Sequence, residues 1–148
     1  MKTRTIEVYP LKGTYFILST ADKSVYLGVA GASKANNVPL SGSKKRAGKG
    51  TEVKLVRKGF AYQVKFTHSN KLMMPIDEGK SPKIAVVQAK KNGAKAQLWR
   101  IVVDKKNRIS FKGVVSHKVV ALKGVQLGAT VLQRVPTGGK AEKWTLSR

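Results

Sequence analysis

Three short segments of the chain combine basic residues with glycines, and each precedes a run with strand composition. Lysine and arginine neutralise phosphate groups, and glycine lets backbone N–H groups approach an anion closely. The segments span residues 41–51, 90–95 and 134–140. Their composition predicts phosphate binding through Lys44, Lys45, Arg46, Lys49, Lys90, Lys91, Lys95, Arg134 and Lys140.

Positive charge extends over the whole chain. Its 148 residues include 30 basic and 7 acidic side chains, which gives a formal net charge of +23 at pH 7. The net charge is +7 over residues 10–57, +7 over 58–102 and +8 over 103–148. A compact body with this charge repels itself, so the even distribution indicates a polyanionic partner. Lysine outnumbers arginine 23 to 7, which suits contacts to a phosphate backbone better than recognition of base edges.

A repeat of about 45 residues organises the chain. Residues 86–101 correspond to residues 131–146, and the segment Glu52–Val56 occupies the same position one period earlier. Self-similarity at a fixed period indicates an internally repeated fold. Six aligned positions are identical, namely Val86/Val131, Gln88/Gln133, Gly93/Gly138, Lys95/Lys140, Ala96/Ala141 and Trp99/Trp144.

Short runs with strand composition alternate with turn residues in every repeat. Val25–Val29 and Leu72–Ile76 are equivalent runs, and no segment has a sustained apolar period of 3.6 residues. The sequence therefore predicts an all-β fold of twelve strands, four in each repeat. Three-fold repetition favours a closed arrangement over an open sheet. We expect a single domain over residues 1–148, with repeats at about 10–57, 58–102 and 103–148.

The repeat length, the four strands per repeat and a Gln-x-Trp motif resemble the β-trefoil of the ricin B-type lectin family. Gln97 and Trp99 match the motif, and Glu142 with Trp144 matches it with glutamate for glutamine. In the first repeat, the segment 52–54 keeps the position without a tryptophan. The resemblance implies a β-trefoil of three four-stranded repeats in which Trp99 and Trp144 are core residues.

The same alignment puts Glu52 in the glutamine position and Lys54 in the tryptophan position, near the surface. An ionised carboxylate can accept hydrogen bonds but cannot donate them. We therefore expect a cation or a pair of backbone N–H groups beside Glu52 and Glu142.

Lectins of this family bind sugar hydroxyls with a carboxylate on the second strand of a repeat, beside an aromatic side chain. The corresponding residues in this alignment are Gly28, Pro75 and Ala121, and none carries a carboxylate. Asp22 and Asp77 lie nearby but out of register. The resemblance therefore predicts that sugar binding at the usual positions is lost.

Catalytic chemistry has little support in the sequence. His68 and His117 fall in equivalent turns, and the chain contains no cysteine that could complete a Cys/His metal site. The acidic residues are scattered, with Asp77 and Glu78 as one adjacent pair. We expect no enzymatic activity, no metal site and no cofactor.

The sequence favours a basic β-trefoil that binds nucleic acid, with structured RNA preferred over DNA, as ribosome-associated proteins do. The alternative is a carbohydrate-binding lectin or a binder of acidic, heparin-like glycans, and a binder of acidic cytoskeletal filaments is a weaker one. We expect a monomer or a component of a larger ribonucleoprotein, with no membrane span. Residues Met1–Glu7 lack the apolar run of a signal peptide, which favours an intracellular, cytoplasmic or nuclear location.

Overall fold

Each third of the chain forms four short strands in the computed structural model, which describes residues 4–5, 13–44, 50–124 and 126–147. A two-residue strand, β1 (Arg4–Thr5), precedes the repeats. The first repeat contains β2 (Thr14–Ser19), β3 (Tyr26–Val29), β4 (Val38–Ser43) and β5 (Glu52–Lys58). The second contains β6 (Ala61–Phe66), β7 (Leu72–Pro75), β8 (Val86–Ala89) and β9 (Trp99–Val103). The third contains β10 (Ile109–Gly113), β11 (Val119–Leu122), β12 (Val131–Arg134) and β13 (Trp144–Ser147).

Single turns of 3-10 helix are the helical elements among the described residues. Two of them, η1 (Ala30–Ala32) and η2 (Ile76–Glu78), follow the second strands of their repeats. The other two, η3 (Lys95–Gln97) and η4 (Lys140–Glu142), precede the fourth strands. No helix in the part of the chain that the structure covers is long and apolar enough to span a membrane.

The first and fourth strands of the three repeats close into a six-stranded barrel. Paired strands follow the ring β2, β5, β6, β9, β10, β13 and return to β2, all antiparallel. Successive side chains in a strand point to opposite faces, so alternate residues fill the barrel. In β9, Trp99, Ile101 and Val103 are buried while Arg100 is exposed. The closed arrangement expected from the three-fold repeat is therefore present.

The second and third strands of each repeat form a hairpin, and the three hairpins pair with one another at one end of the barrel. Val38 of β4 pairs with Gln88 of β8, and isolated bridges join Ser41 to Thr130 and Ala85 to Leu132. The side-chain amides of buried Gln88 and Gln133 each donate to two carbonyl groups of the preceding repeat. These contacts between repeats thus hold the loops that join the second and third strands in the first and second repeats.

The structure aligns the first repeat with the other two one residue away from the alignment that the sequence predicted. One backbone hydrogen bond recurs in all three repeats and shows which residues are equivalent. Its donor is the N–H group that follows the first strand of a repeat, and its acceptor is a carbonyl group at the start of the paired fourth strand. In the second and third repeats, the accepting residue directly precedes the tryptophan. The accepting residues are Glu52, Leu98 and Lys143. Glu52 is therefore equivalent to Leu98, so Thr51 occupies the position of Gln97 and Val53 that of Trp99. Thr51 and Val53 are both buried.

Lys54 is exposed, as expected, but its structural equivalent is Arg100 and not Trp99. The error arose because Val53 precedes Trp99 by 46 residues, so a fixed period of 45 shifted the alignment by one. A one-residue shift reverses the inward and outward faces of a strand. Glu52 is half-buried and accepts a hydrogen bond from the Thr67 hydroxyl at 2.9 Å.

Candidate functional site

Each repeat places a basic loop between its third and fourth strands. We define the first basic loop as residues 44–51, the second as residues 90–97 and the third as residues 134–142. The first loop includes residues 45–49, so the predicted site residues Lys45, Arg46 and Lys49 lie outside the described residues. Lys95 and Lys140 open the equivalent turns η3 and η4, and both are exposed.

The second basic loop is built around the buried side chain of Gln97. The Asn92 N–H group donates to Gln97 Oε1 at 3.1 Å, and Gln97 Nε2 donates to the Lys90 carbonyl group at 2.7 Å. The Asn92 side chain accepts the Ala94 N–H group at 2.8 Å, and Gly93 adopts a φ of 77°. These contacts fix the backbone of the loop, while the side chains of Lys90, Lys91 and Lys95 are exposed.

The third basic loop has the same shape around a buried carboxylate. The N–H groups of Thr137 and Gly138 donate to Glu142 at 2.9 and 3.1 Å, and Gly138 has a φ of 81°. Burial raises the pKa of the Glu142 carboxyl, but these N–H groups, the Thr137 hydroxyl and Arg134 outweigh it and hold the pKa below its ordinary value. The compensating donors expected beside Glu142 are therefore present.

Arg134 was predicted to bind phosphate, but the structure gives it an internal role. Its Nε and Nη2 atoms donate to Glu142 Oε1 at 3.1 and 3.0 Å, and Nη2 also donates to the Thr137 hydroxyl at 3.2 Å. A buried carboxylate needs a paired charge, whereas Gln97 satisfies the same position as a neutral amide. Arg134 thus stabilises the third basic loop, and its charge is largely neutralised by Glu142.

Of the predicted phosphate-binding residues that the structure describes, the exposed ones are Lys44, Lys90, Lys91, Lys95 and Lys140. They do not form one continuous site. The turn η3 packs against β7 and η4 against β11, so the second and third loops each lie on their own repeat. The three-fold arrangement therefore presents the loops at separate positions around the barrel axis, where a long ligand or a surface with several anionic groups could contact more than one.

A cavity of about 420 Å³ lies beside the first basic loop. It is lined by Val29, Gly31, Ala32, Gly42, Ser43, Lys44, Thr51 and Leu127. The volume is in the range of small-molecule sites, and the lining combines apolar groups with the Ser43 hydroxyl and the Lys44 ammonium group.

The structure also defines the positions of the usual lectin carboxylate. Leu27, Met73 and Val120 pair with equivalent residues of the third strands, so the following residues, Gly28, Met74 and Ala121, are equivalent. The predicted position Pro75 is therefore wrong by one residue, and Met74 replaces it. No carboxylate occurs at any of the three positions.

Gly28 lacks a side chain at the carboxylate position, and the neighbouring atoms leave little space for one. A Cβ atom added there would lie 2.7 Å from Ser43 Oγ and 2.9 Å from Thr51 Cγ2. Asp77 lies three residues after Met74, exposed and with a φ of 54° in η2, so it does not occupy the carboxylate position. The first repeat thus has no room for the side chain that neutral-sugar recognition would need at this point.

Comparison with solved structures places the fold. ThreeFoil, a designed three-fold symmetric protein, has a TM-score of 0.86 and 23% identity over 91% of this chain and 98% of its own. The Rhizoctonia solani agglutinin has a TM-score of 0.81 and 16% identity over 95% and 97% of the two chains. The chain has the β-trefoil fold.

A third similar structure, the Polyporus squamosus lectin solved with Neu5Acα2-6Galβ1-4GlcNAc, has a TM-score of 0.75 and 18% identity over 93% of this β-trefoil and 49% of the lectin. No protein-family model and no curated protein sequence matches the chain. At these identities the similarity establishes the β-trefoil fold, and the ricin B-like resemblance has structural support.

Sequence patterns alone did not identify the residues that shape the loops of this β-trefoil. Asn92 and Thr137 each cap the turn that follows them, and Asn36 accepts the Lys90 N–H group at 2.7 Å. The pairs Asn92-Gly93 and Thr137-Gly138 carried a usable pattern, because a capping side chain before a glycine with positive φ is typical of a fixed turn. Asn36 belongs to another repeat, and no local pattern indicates its contact.

Proposed function

We propose that this β-trefoil is a non-catalytic, carbohydrate-binding protein whose ligands are acidic glycans. The observation that carries the proposal is the repeated geometry of the second and third basic loops. In both, a buried side chain fixes the backbone and an exposed lysine stands at the same position, Lys95 or Lys140. Because the backbone that carries each lysine is already fixed, the loop loses less conformational freedom when the lysine binds an anion.

An acidic glycan fits the loops better than a neutral one. The carboxylate that would accept hydrogen bonds from neutral sugar hydroxyls is missing from all three equivalent positions, and Gly28 leaves no room for it. Carboxylate or sulfate groups on a glycan would instead be attracted by the lysines. The cavity beside Lys44 offers both an apolar wall and a cation, which suits a sugar ring with an anionic substituent.

The β-trefoil fold has a precedent for such a ligand. The glycan in the structure of the Polyporus squamosus lectin carries Neu5Ac, a sugar with a carboxylate group. This precedent supports acidic glycans as the ligand class, whereas the binding residues are inferred from the basic loops of the present chain. It favours the glycan alternative over the nucleic acid that the charge alone suggested.

Structured RNA is the second candidate, because +23 is spread evenly over the three repeats. A phosphate backbone would meet the same lysines, and log affinity would fall linearly with log salt. A direct competition separates the two candidates. Acidic glycan should displace RNA at lower concentrations of anionic groups if the glycan is the ligand.

The decisive experiment measures binding to a sulfated glycosaminoglycan and to neutral dextran of similar length. The variant Lys90→Gln/Lys91→Gln is compared with Lys105→Gln/Lys106→Gln, which loses the same charge at exposed positions. The control pair lies in the turn after β9, whereas Lys90 and Lys91 precede that strand.

We expect the wild type to bind the sulfated polymer and not dextran. The loop variant should bind more weakly than the control. Its slope of log affinity against log salt concentration should be smaller in magnitude by about two. Equal affinities for the two variants would exclude Lys90 and Lys91 from the binding site, and preferential binding of RNA or dextran would reject the proposed function.

A further inference from the structure

Two pairs of basic residues face each other across neighbouring strands on the outside of the barrel. Lys54 of β5 is directly opposite Lys65 of β6, and Arg100 of β9 is directly opposite Lys112 of β10. We call these four residues the wall cations. They are distinct from the basic loops, because all four lie within barrel strands.

The wall cations point away from the core. Lys54 and Arg100 are exposed, and Lys65 and Lys112 are half-buried, whereas their neighbours along the strands, such as Val53 and Phe111, are buried. In the part of the chain that the structure describes, the ion pairs join Asp104 to Arg108 and Lys143, and Glu142 to Arg134. None of these pairs includes a wall cation.

Like charges in this arrangement repel. Directly opposite residues in antiparallel strands have Cβ atoms about 5 Å apart, and like charges there are destabilising. Salt in solution only partly screens the repulsion between charges that are closer than the Debye length, which is about 8 Å at physiological ionic strength. The unliganded protein therefore carries an unfavourable interaction at two equivalent positions of the barrel.

The fold itself does not need cations at these positions. The third equivalent pair is Thr145 opposite Leu18, between β13 and β2, with the same antiparallel register. This pair shows that uncharged residues fit the same geometry. In the other two repeats, an anionic ligand bound between the paired cations would replace their repulsion with attraction.

We propose that the wall cations are a second contact surface for the acidic glycan and that the ligand is a polymer which extends from the second basic loop onto the barrel wall. This inference rests on the proposed function. Arg100 follows Gln97, the last residue of that loop, by three positions, so loop and wall are continuous. The strands β5, β6, β9 and β10 are successive neighbours. Tyr62 of β6 pairs with Trp99 of β9. Lys65 is therefore displaced by four residues along the strand from the position opposite Arg100, which separates the two pairs of wall cations by about 13 Å in that direction. A polymer with regularly spaced anionic groups can cover that distance.

The test uses Lys65→Gln/Lys112→Gln, which removes one cation from each pair, with Lys105→Gln/Lys106→Gln as the charge-matched control. Two readouts are needed. In the absence of ligand, relief of repulsion should raise the melting temperature of the wall variant by about 1–3 °C relative to the control. With a long sulfated polysaccharide, the slope of log affinity against log salt should decrease in magnitude by about two.

Ligand length supplies the third readout. The wall variant should lose affinity for a long sulfated polysaccharide and keep wild-type affinity for a sulfated disaccharide, which can occupy only a loop. Wild-type-like binding of the long polymer by the wall variant, together with weakened binding by Lys90→Gln/Lys91→Gln, would overturn the wall inference and leave the proposed function standing. Failure of the wild type to bind any acidic glycan would instead overturn the proposed function, and both proposals with it.

Discussion

The Arg134 guanidinium group lies 3.0 Å from the Glu142 carboxylate in the third repeat, where the second repeat has the neutral amide of Gln97. Both arrangements satisfy a buried acceptor and position the same loop backbone. Glu142 has additional donors around it that Gln97 does not need, because a carboxylate has no N–H group of its own. Two repeats of one chain therefore reach one loop shape with different chemistry.

Replacement of Arg134 should cost more stability than replacement of Glu142. We expect Arg134→Gln to lower the free energy of unfolding by about 1–3 kcal/mol, since the buried carboxylate loses its charged partner. Glu142→Gln should have a smaller effect, because glutamine is the residue at the equivalent position, Gln97. Chemical denaturation of the two single variants and the double variant measures the coupling. A larger loss for Glu142→Gln than for Arg134→Gln would contradict this assignment.

The same pair predicts a pH dependence. Interactions in the folded protein hold the pKa of Glu142 below its ordinary value, so the ionised carboxylate stabilises the folded state. This contribution is fully present above the pKa of an unfolded glutamate, about 4.3. It is lost as the pH falls through the lower pKa of the folded state.

The difference in unfolding free energy between the wild type and Glu142→Gln should therefore become less favourable to the wild type below about pH 4.3. Comparison with Glu142→Gln is needed because Asp104 titrates in the same direction. Burial raises the pKa of Asp104, but the N–H groups of Arg108 and Lys106 and the Arg108 side chain outweigh it and lower the pKa. A difference that is constant from pH 6 to pH 3 would count against the proposed role of the Glu142 charge.

The β-trefoil was predictable because its core residues alternate and repeat. Trp99 and Trp144 are fully buried and donate their Nε1–H groups to the carbonyls of Met73 and Val120 at 2.9 and 3.1 Å. The loop chemistry was less predictable, since composition does not reveal which cation is paired within the protein. The sequence around Arg134 resembles that around the lysines of the basic loops. Only its ion pair with Glu142, which the structure reveals, distinguishes Arg134 from them.

Substitutions in β5 test the corrected register. We expect Val53→Ala to cost about 2 kcal/mol, because Val53 is fully buried at the position of the tryptophans. Lys54→Ala should change stability by less than about 0.5 kcal/mol, as is usual for an exposed residue. Trp144→Ala should cost about 3–5 kcal/mol and sets the scale for the equivalent position. Urea denaturation gives all three values, and a greater loss at Lys54 than at Val53 would restore the original alignment.

Gly28 tests whether a sugar-binding carboxylate can be restored in the first repeat. An added Cβ atom would clash with Ser43 and Thr51, so Gly28→Ala should destabilise the protein by about 1–3 kcal/mol. Gly124→Ala is the matched control, because nothing lies within 4 Å of a Cβ atom there. Gly28→Asp should be at least as destabilising as Gly28→Ala and should not produce binding to neutral galactose or lactose, as measured by titration calorimetry.

Ser43 offers a way to separate the clash from other effects of the new side chain. The double variant Gly28→Ala/Ser43→Gly removes the nearest atoms, Ser43 Oγ and Cβ, and should recover part of the stability that Gly28→Ala loses. The contact of 2.9 Å with Thr51 Cγ2 remains, so recovery should be incomplete. Equal stability of Gly28→Ala and the wild type, or a gain of neutral-sugar binding in Gly28→Asp, would show that the position is open. The preference for acidic glycans would then need another explanation.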